Sequence, residues 1–70
     1  MKIYQIRRFE VGQVNHGYDW VRLEARDAMD AYRASGFQAR PGYTIEVSEF
    51  SANPEEGPIY IDGADRVLHA

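Results

Sequence analysis

One segment of the chain, residues 27–35, has the pattern of a helix, and strand-like segments precede and follow it. Asp27 and Asp30 form an acidic capping pattern at its start, and Gly36 is well placed to end it. Small and apolar side chains recur at helical spacing along one narrow face. A helix this short is not stable in isolation, so the pattern predicts that it packs on a sheet.

The remaining segments predict the strands of that sheet. They cover residues 1–11, 18–25, 43–50, 59–61 and 66–69. The first alternates irregularly, which predicts either a bulge or a strand contacted on both faces. The order β-β-α-β-β-β indicates an α+β domain, with an antiparallel sheet of four to five strands and one short helix packed on one face. Seventy residues predict a single domain over 1–70, with a thin core that self-association would stabilise.

Several functional classes find no support in the residues. The chain has no cysteine, no phosphate-binding glycine motif and no apolar segment long enough to cross a membrane. His16 and His69 are the only imidazoles, and nothing brings either one to a nucleophile. We therefore expect a cytoplasmic protein that is not an enzyme and has no metal site and no cofactor.

Charge is distributed unevenly along the chain. Residues 1–40 contain seven bases and five acids, whereas residues 41–70 contain one base and six acids. The second half predicts an acidic partner-binding surface made of Glu46, Glu49, Glu55, Glu56, Asp62 and Asp65. Such carboxylates can compete with a phosphate backbone for the arginines and lysines of a basic partner. The alternative is an ordinary solvated surface.

The second strand segment predicts another surface. If Val21, Leu23 and Ala25 face the helix, alternation places Tyr18, Trp20 and Arg22 on the open side of the sheet. Aromatic residues beside an arginine are typical of protein interfaces, so this patch is predicted to bind a partner or a second copy in a homodimer. The alternative is nucleic-acid binding through Arg7, Arg8 and Arg22 beside the aromatic rings, although the acidic balance of the chain disfavours it.

The sequence resembles a group of small α+β proteins from phages and mobile elements. The resemblance rests on the size and order of the segments MKIYQIRRFE, YDWVRLEARDAMDAYRASGF, TIEVSEF and IYIDG. Anti-CRISPR proteins include members of this build. The resemblance implies a non-enzymatic inhibitor, acting in the cytoplasm of a host cell, that occupies a basic nucleic-acid-binding surface of a protein complex such as a CRISPR effector. It assigns no functional residue.

Overall fold

The computed structural model describes residues 1–12 and 19–69, and these form one five-stranded sheet and one helix. The elements in chain order are β1 Lys2–Glu10, β2 Asp19–Ala25, α1 Ala28–Ser35, β3 Tyr43–Glu49, β4 Ile59–Ile61 and β5 Val67–His69. All neighbouring strands are antiparallel, in the order β2-β1-β3-β4-β5. The predicted class, a small α+β domain with an antiparallel sheet and a short helix, is confirmed.

The first strand, β1, pairs with β2 on one side and with β3 on the other. Both registers run without interruption, so β1 contains no bulge. Tyr4 and Ile6 are buried on the face that α1 covers, and Phe9 is buried outside that core cluster. Because side chains alternate along a strand, Phe9 lies on the opposite face. Of the two interpretations of the irregular pattern, contact on both faces is therefore the correct one.

The helix begins and ends at the residues that its sequence pattern indicates. The Asp27 side chain accepts a hydrogen bond from the backbone N–H of Asp30, with Oδ1 2.9 Å from the nitrogen. Gly36 ends the helix in the left-handed region, with φ 82°, a conformation that costs little only for glycine. Among the described residues, no helix is long and apolar enough to cross a membrane, since α1 has eight residues.

The core lies between α1 and the strands below it. Its buried residues are Tyr4, Ile6, Ala25, Ala31, Ile45, Val47, Ile59 and Ile61. α1 packs against β1, β2 and β3, which leaves the helix side of β5 less covered. The loop before β3 turns at Arg40–Tyr43, where the Tyr43 N–H donates to the Arg40 carbonyl at 3.1 Å. This arrangement produces two surfaces of interest, one on each side of the sheet.

Candidate interaction surface

The face of the sheet opposite α1, here called the open face, is not covered by any helix or strand among the described residues. The strand registers and the alternation of side chains place one set of residues on this face. They are Ile3, Gln5, Arg7, Phe9, Trp20, Arg22, Glu24, Thr44, Glu46, Ser48, Tyr60 and Leu68. Of the three residues predicted on this side, Trp20 and Arg22 lie there, and Tyr18 is outside the described residues.

Arg22 lies between two half-exposed aromatic rings. Its guanidinium carbon is 4.0 Å from the centre of the Phe50 ring and 4.9 Å from the centre of the Trp20 ring. Its Nε donates a hydrogen bond to Oε1 of Gln5 at 2.9 Å. Trp20 and Phe50 are each 51% exposed, and Ile3 beside them is 46% exposed. These four residues, Ile3, Trp20, Arg22 and Phe50, are here called the Arg22 cluster, and cation–π contacts join Arg22 to the two rings.

Two members of the Arg22 cluster were not predicted from the sequence. Phe50 and Ile3 come from distant segments, and the Phe50 N–H donates to the Ile3 carbonyl at 2.8 Å. Their place beside Arg22 depends on the pairing of β1 with both neighbours, which no local pattern reveals. The only signal in the sequence is that Phe50 departs from the alternation of the third strand segment.

An ion pair occupies the centre of the open face. Arg7 and Glu46 are directly opposite each other on β1 and β3, and Arg7 Nε donates to Glu46 Oε1 at 2.8 Å. The Glu46 side chain is only 14% exposed. Burial, and then the charge of Glu46, raises the pKa of Tyr60, which is opposite Glu46 on β4. Glu46 is therefore used within the sheet and is not presented as a free carboxylate.

Three of the predicted acidic residues lie together at one end of the sheet. Lys2 Nζ is 3.6 Å from Glu49 Oε1 and 3.5 Å from Glu55 Oε2. Glu56 accepts a hydrogen bond from the Tyr4 hydroxyl, with 2.9 Å between the oxygens. The Glu49 side chain is 7% exposed, whereas that of Glu55 is 77% exposed. Glu49, Glu55 and Glu56 are here called the acidic end.

Two other predicted acidic residues, Asp62 and Asp65, stabilise the turn between β4 and β5. Asp62 Oδ1 accepts hydrogen bonds from the backbone N–H groups of Arg66 and Ala64, each at 2.9 Å. The bond from the Arg66 backbone is the main cause that lowers the pKa of Asp62. Asp65 accepts a hydrogen bond from the Tyr32 hydroxyl at 3.2 Å and so joins the turn to α1.

The six predicted acidic residues therefore do not form the one acidic surface that the sequence predicted. The β4–β5 turn lies beside the start of β3, because Ile61 pairs with Ile45, whereas Glu49 is the last residue of β3. Glu46 and Glu49 also point to opposite faces of the same strand. These carboxylates are close along the chain but not in space. The length of β3 separates residues near its two ends, and alternation directs successive side chains to opposite faces of the sheet.

The contact between Tyr4 and Glu56 predicts how stability depends on alkaline pH. Tyr4 is 1% exposed, and burial, together with its bond to Glu56, raises its pKa from 10.0 to about 12. The unfolded chain releases this proton near its ordinary pKa, while the folded chain retains it. We expect stability from this group to be fully present below pH 10.0 and to be lost as the pH rises towards about 12.

Urea unfolding midpoints measured over this pH range check the expectation. Tyr4→Phe should flatten the alkaline loss, and it should lower stability at neutral pH by about 1 kcal/mol because Glu56 loses its donor. An alkaline loss of the same size in Tyr4→Phe would show that other groups cause it.

Among the described residues, His69 and Ser35 have side chains suited to catalysis, and they lie on separate elements, β5 and α1. His69 is exposed on β5, and His16 lies outside the described residues. The Ser35 hydroxyl donates to the Tyr32 carbonyl at 2.6 Å and accepts from the Phe37 N–H at the end of α1. Within residues 1–12 and 19–69, no group of three or more histidine, aspartate or glutamate side chains could hold a metal ion.

Comparisons of this chain with protein-family models, with curated proteins and with solved structures give no match. Its function is therefore inferred from the chemistry and geometry of its surfaces.

Proposed function

We propose that the chain is a non-enzymatic protein-binding module whose binding surface is the open face, centred on the Arg22 cluster. One observation carries the proposal: the half-exposed rings of Trp20 and Phe50 lie on either side of the Arg22 guanidinium, on a face that no described element covers. Exposed aromatic side chains grouped with arginine are the usual content of interface hot spots. An apolar patch of this kind on a small domain typically marks a contact surface.

The geometry indicates the kind of partner group that fits. Trp20 lies on β2, the Phe50 N–H directly after β3 donates to the Ile3 carbonyl, and both rings contact Arg22. We therefore expect binding to order few additional side chains. Arg22 has no carboxylate partner among the described residues and donates to the neutral side chain of Gln5. A partner that supplies apolar side chains for the rings and a carboxylate for Arg22 would satisfy the cluster.

Nucleic-acid binding is less well supported by the same residues. Arg7 is paired with Glu46, and Arg8 is paired with Asp19 at 2.6 Å. A phosphate backbone would have to displace these carboxylates, and the chain carries a net charge of −3. Nucleic acid is therefore the alternative that the experiment below has to distinguish.

The inhibitor role implied by the anti-CRISPR-type resemblance is a second candidate. It is favoured by the acidic end, where Glu55 and Glu56 are exposed and share a single nearby lysine, Lys2, with Glu49. In this role a phage- or mobile-element-encoded protein would place these carboxylates on a basic nucleic-acid-binding surface of a complex such as a CRISPR effector. Only the exposed glutamates, Glu55 and Glu56, are suitable for testing it, because Glu46 and Glu49 are largely buried in ion pairs.

A pull-down of the tagged protein from source-cell lysate, with and without nuclease and read by mass spectrometry, tests the proposal. For a partner captured by the wild type, we expect Trp20→Ala combined with Phe50→Ala to weaken binding about thirtyfold or more, as for a hot spot. Arg26→Ala is the matched control, because Arg26 is exposed on the helix side of the molecule. Circular dichroism checks that each variant is folded.

The variants separate the candidate roles. Binding that survives the double aromatic substitution contradicts the open face as the binding surface. Loss of binding in Glu55→Lys with Glu56→Lys, but not in the aromatic variant, would favour the acidic inhibitor. Loss of the captured material after nuclease treatment identifies nucleic acid as the ligand. Light scattering shows whether the only partner is a second copy of the chain.

A further inference from the structure

A groove of about 730 Å³ lies on the helix side of the sheet, away from the open face. Its apolar lining comes from Ala28 and Met29 of α1, and from Ile59 and Val67 of the strands. The groove exists because α1 packs against β1, β2 and β3 and leaves room beside β5. Its size is within the range of natural ligand pockets, so it can accept several side chains.

One wall of the groove is β5, an edge strand of three residues. Among the described strands, β5 pairs only with β4, so the hydrogen-bonding groups on its other side have no strand partner. Val67 and His69 line the groove, and Leu68 between them lies on the open face. The strand has none of the charges or prolines that usually protect an edge. Such an edge can pair with an added strand whose alternate side chains enter the adjacent groove.

The charge of the groove indicates which side chain fits it. Asp27 and Glu56 line the groove; the Asp27 carboxylate caps α1, and that of Glu56 accepts a hydrogen bond from the Tyr4 hydroxyl. Arg33 is the only arginine or lysine among the described lining residues, and it pairs at 3.0 Å with Asp30, which also pairs with Arg26. The described lining therefore has two carboxylates against one guanidinium, and this net negative charge complements a lysine or arginine side chain.

We propose that the groove and the free edge of β5 bind an extended basic peptide segment of a partner protein. The segment adds to the sheet as a sixth strand, its apolar side chains contact Met29 and Val67, and a lysine or arginine side chain reaches Asp27 and Glu56. This site uses residues outside the Arg22 cluster, so it does not depend on the role of the open face.

Fluorescence anisotropy with labelled synthetic peptides tests the proposal. The probe is a blocked hexapeptide in which lysine is followed by alternating threonine and valine; the comparison peptides have glutamate in place of lysine, or N-methylated backbone amides. We expect the lysine peptide to bind, and both comparison peptides to bind at least about fivefold more weakly, because each loses an ion pair or strand hydrogen bonds.

Two conservative protein variants locate the binding site. Glu56→Gln keeps an acceptor for the Tyr4 hydroxyl and removes the charge, and it should weaken the lysine peptide about fivefold. Glu55→Gln is the matched control, because the neighbouring Glu55 contacts Lys2 and does not line the groove, and it should have a smaller effect. Trp20→Ala should leave peptide binding unchanged.

Other outcomes overturn the proposal. Absence of binding by the lysine peptide at millimolar concentration rules out the site. Equal losses in Glu55→Gln and Glu56→Gln would show attraction to net charge alone, and loss in Trp20→Ala would place the peptide on the open face. Full binding by the N-methylated peptide would exclude addition to the β5 edge.

Discussion

Ile6→Ala is expected to lower the free energy of unfolding by about 2–5 kcal/mol. Ile6 is 0% exposed, in the middle of β1, which lies between β2 and β3, and it belongs to the cluster that α1 covers. Alanine removes the apolar contacts and leaves a cavity that the surrounding strands cannot close. A domain of this length has a total stability of only about 4–10 kcal/mol, so the substitution should remove a large part of it.

Ile3→Ala is the matched control for this prediction. Ile3 is on the same strand and is the same residue type, but it lies on the open face and is 46% exposed. Its loss should cost less than about 1 kcal/mol, since only part of its surface leaves water on folding. Urea unfolding followed by circular dichroism measures both variants. A larger loss for Ile3→Ala than for Ile6→Ala would mean that the covered and open faces are assigned the wrong way round.

Gly63→Ala is expected to be the other strongly destabilising substitution, with a loss of about 1–3 kcal/mol. A Cβ atom at Gly63 would lie 2.8 Å from the Arg40 carbonyl oxygen and 2.8 Å from the Pro41 Cα. Both atoms are backbone, in the turn before β3, and cannot rotate away as the end of a side chain would. The β4–β5 turn would have to move away from that turn, which would strain the pairing of both short strands.

Gly57→Ala provides the comparison. A Cβ at Gly57 meets no atom within 4 Å, and its backbone is not in the left-handed region. We expect its effect on the free energy of unfolding to stay within about 0.5 kcal/mol, as for most surface substitutions. The two unfolding midpoints should therefore differ clearly. Equal midpoints would show that the close approach at Gly63 is relieved without cost.

Local signals in the sequence were sufficient for the helix and the fold class. The start of α1 was predicted because Asp27 and Asp30 stabilise the first turn through their own neighbours, and its end because Gly36 tolerates a positive φ. The exposure of Trp20 was also anticipated, because alternation along β2 depends only on which face the helix covers. These properties depend on residues within a few positions of one another.

The surfaces depend on pairing between distant segments. Phe50 reaches Arg22 only because β1 lies between β2 and β3. Among the described strands, β5 has a single partner only because it is the last strand in the sheet. The acidic residues show the opposite effect of pairing. They are close along the chain, which predicted one acidic surface, but the sheet separates them. Several of them have partners contributed by other strands, such as Arg7 for Glu46 and Tyr4 for Glu56.

At Gly63, one residue shows both a local preference for a turn and a packing contact with a distant segment. A turn at Asp62 and Gly63 follows from the residue types alone, because aspartate hydrogen-bonds nearby backbone groups and glycine adopts turn conformations without steric cost. The packing of this turn against Arg40 and Pro41, which leaves no space for a Cβ atom, depends instead on contacts between distant segments. Turns, caps and alternation follow from interactions between near neighbours, which the sequence displays directly. The contacts that build the Arg22 cluster and the groove follow from strand order and register, which are set by the packing of the whole chain.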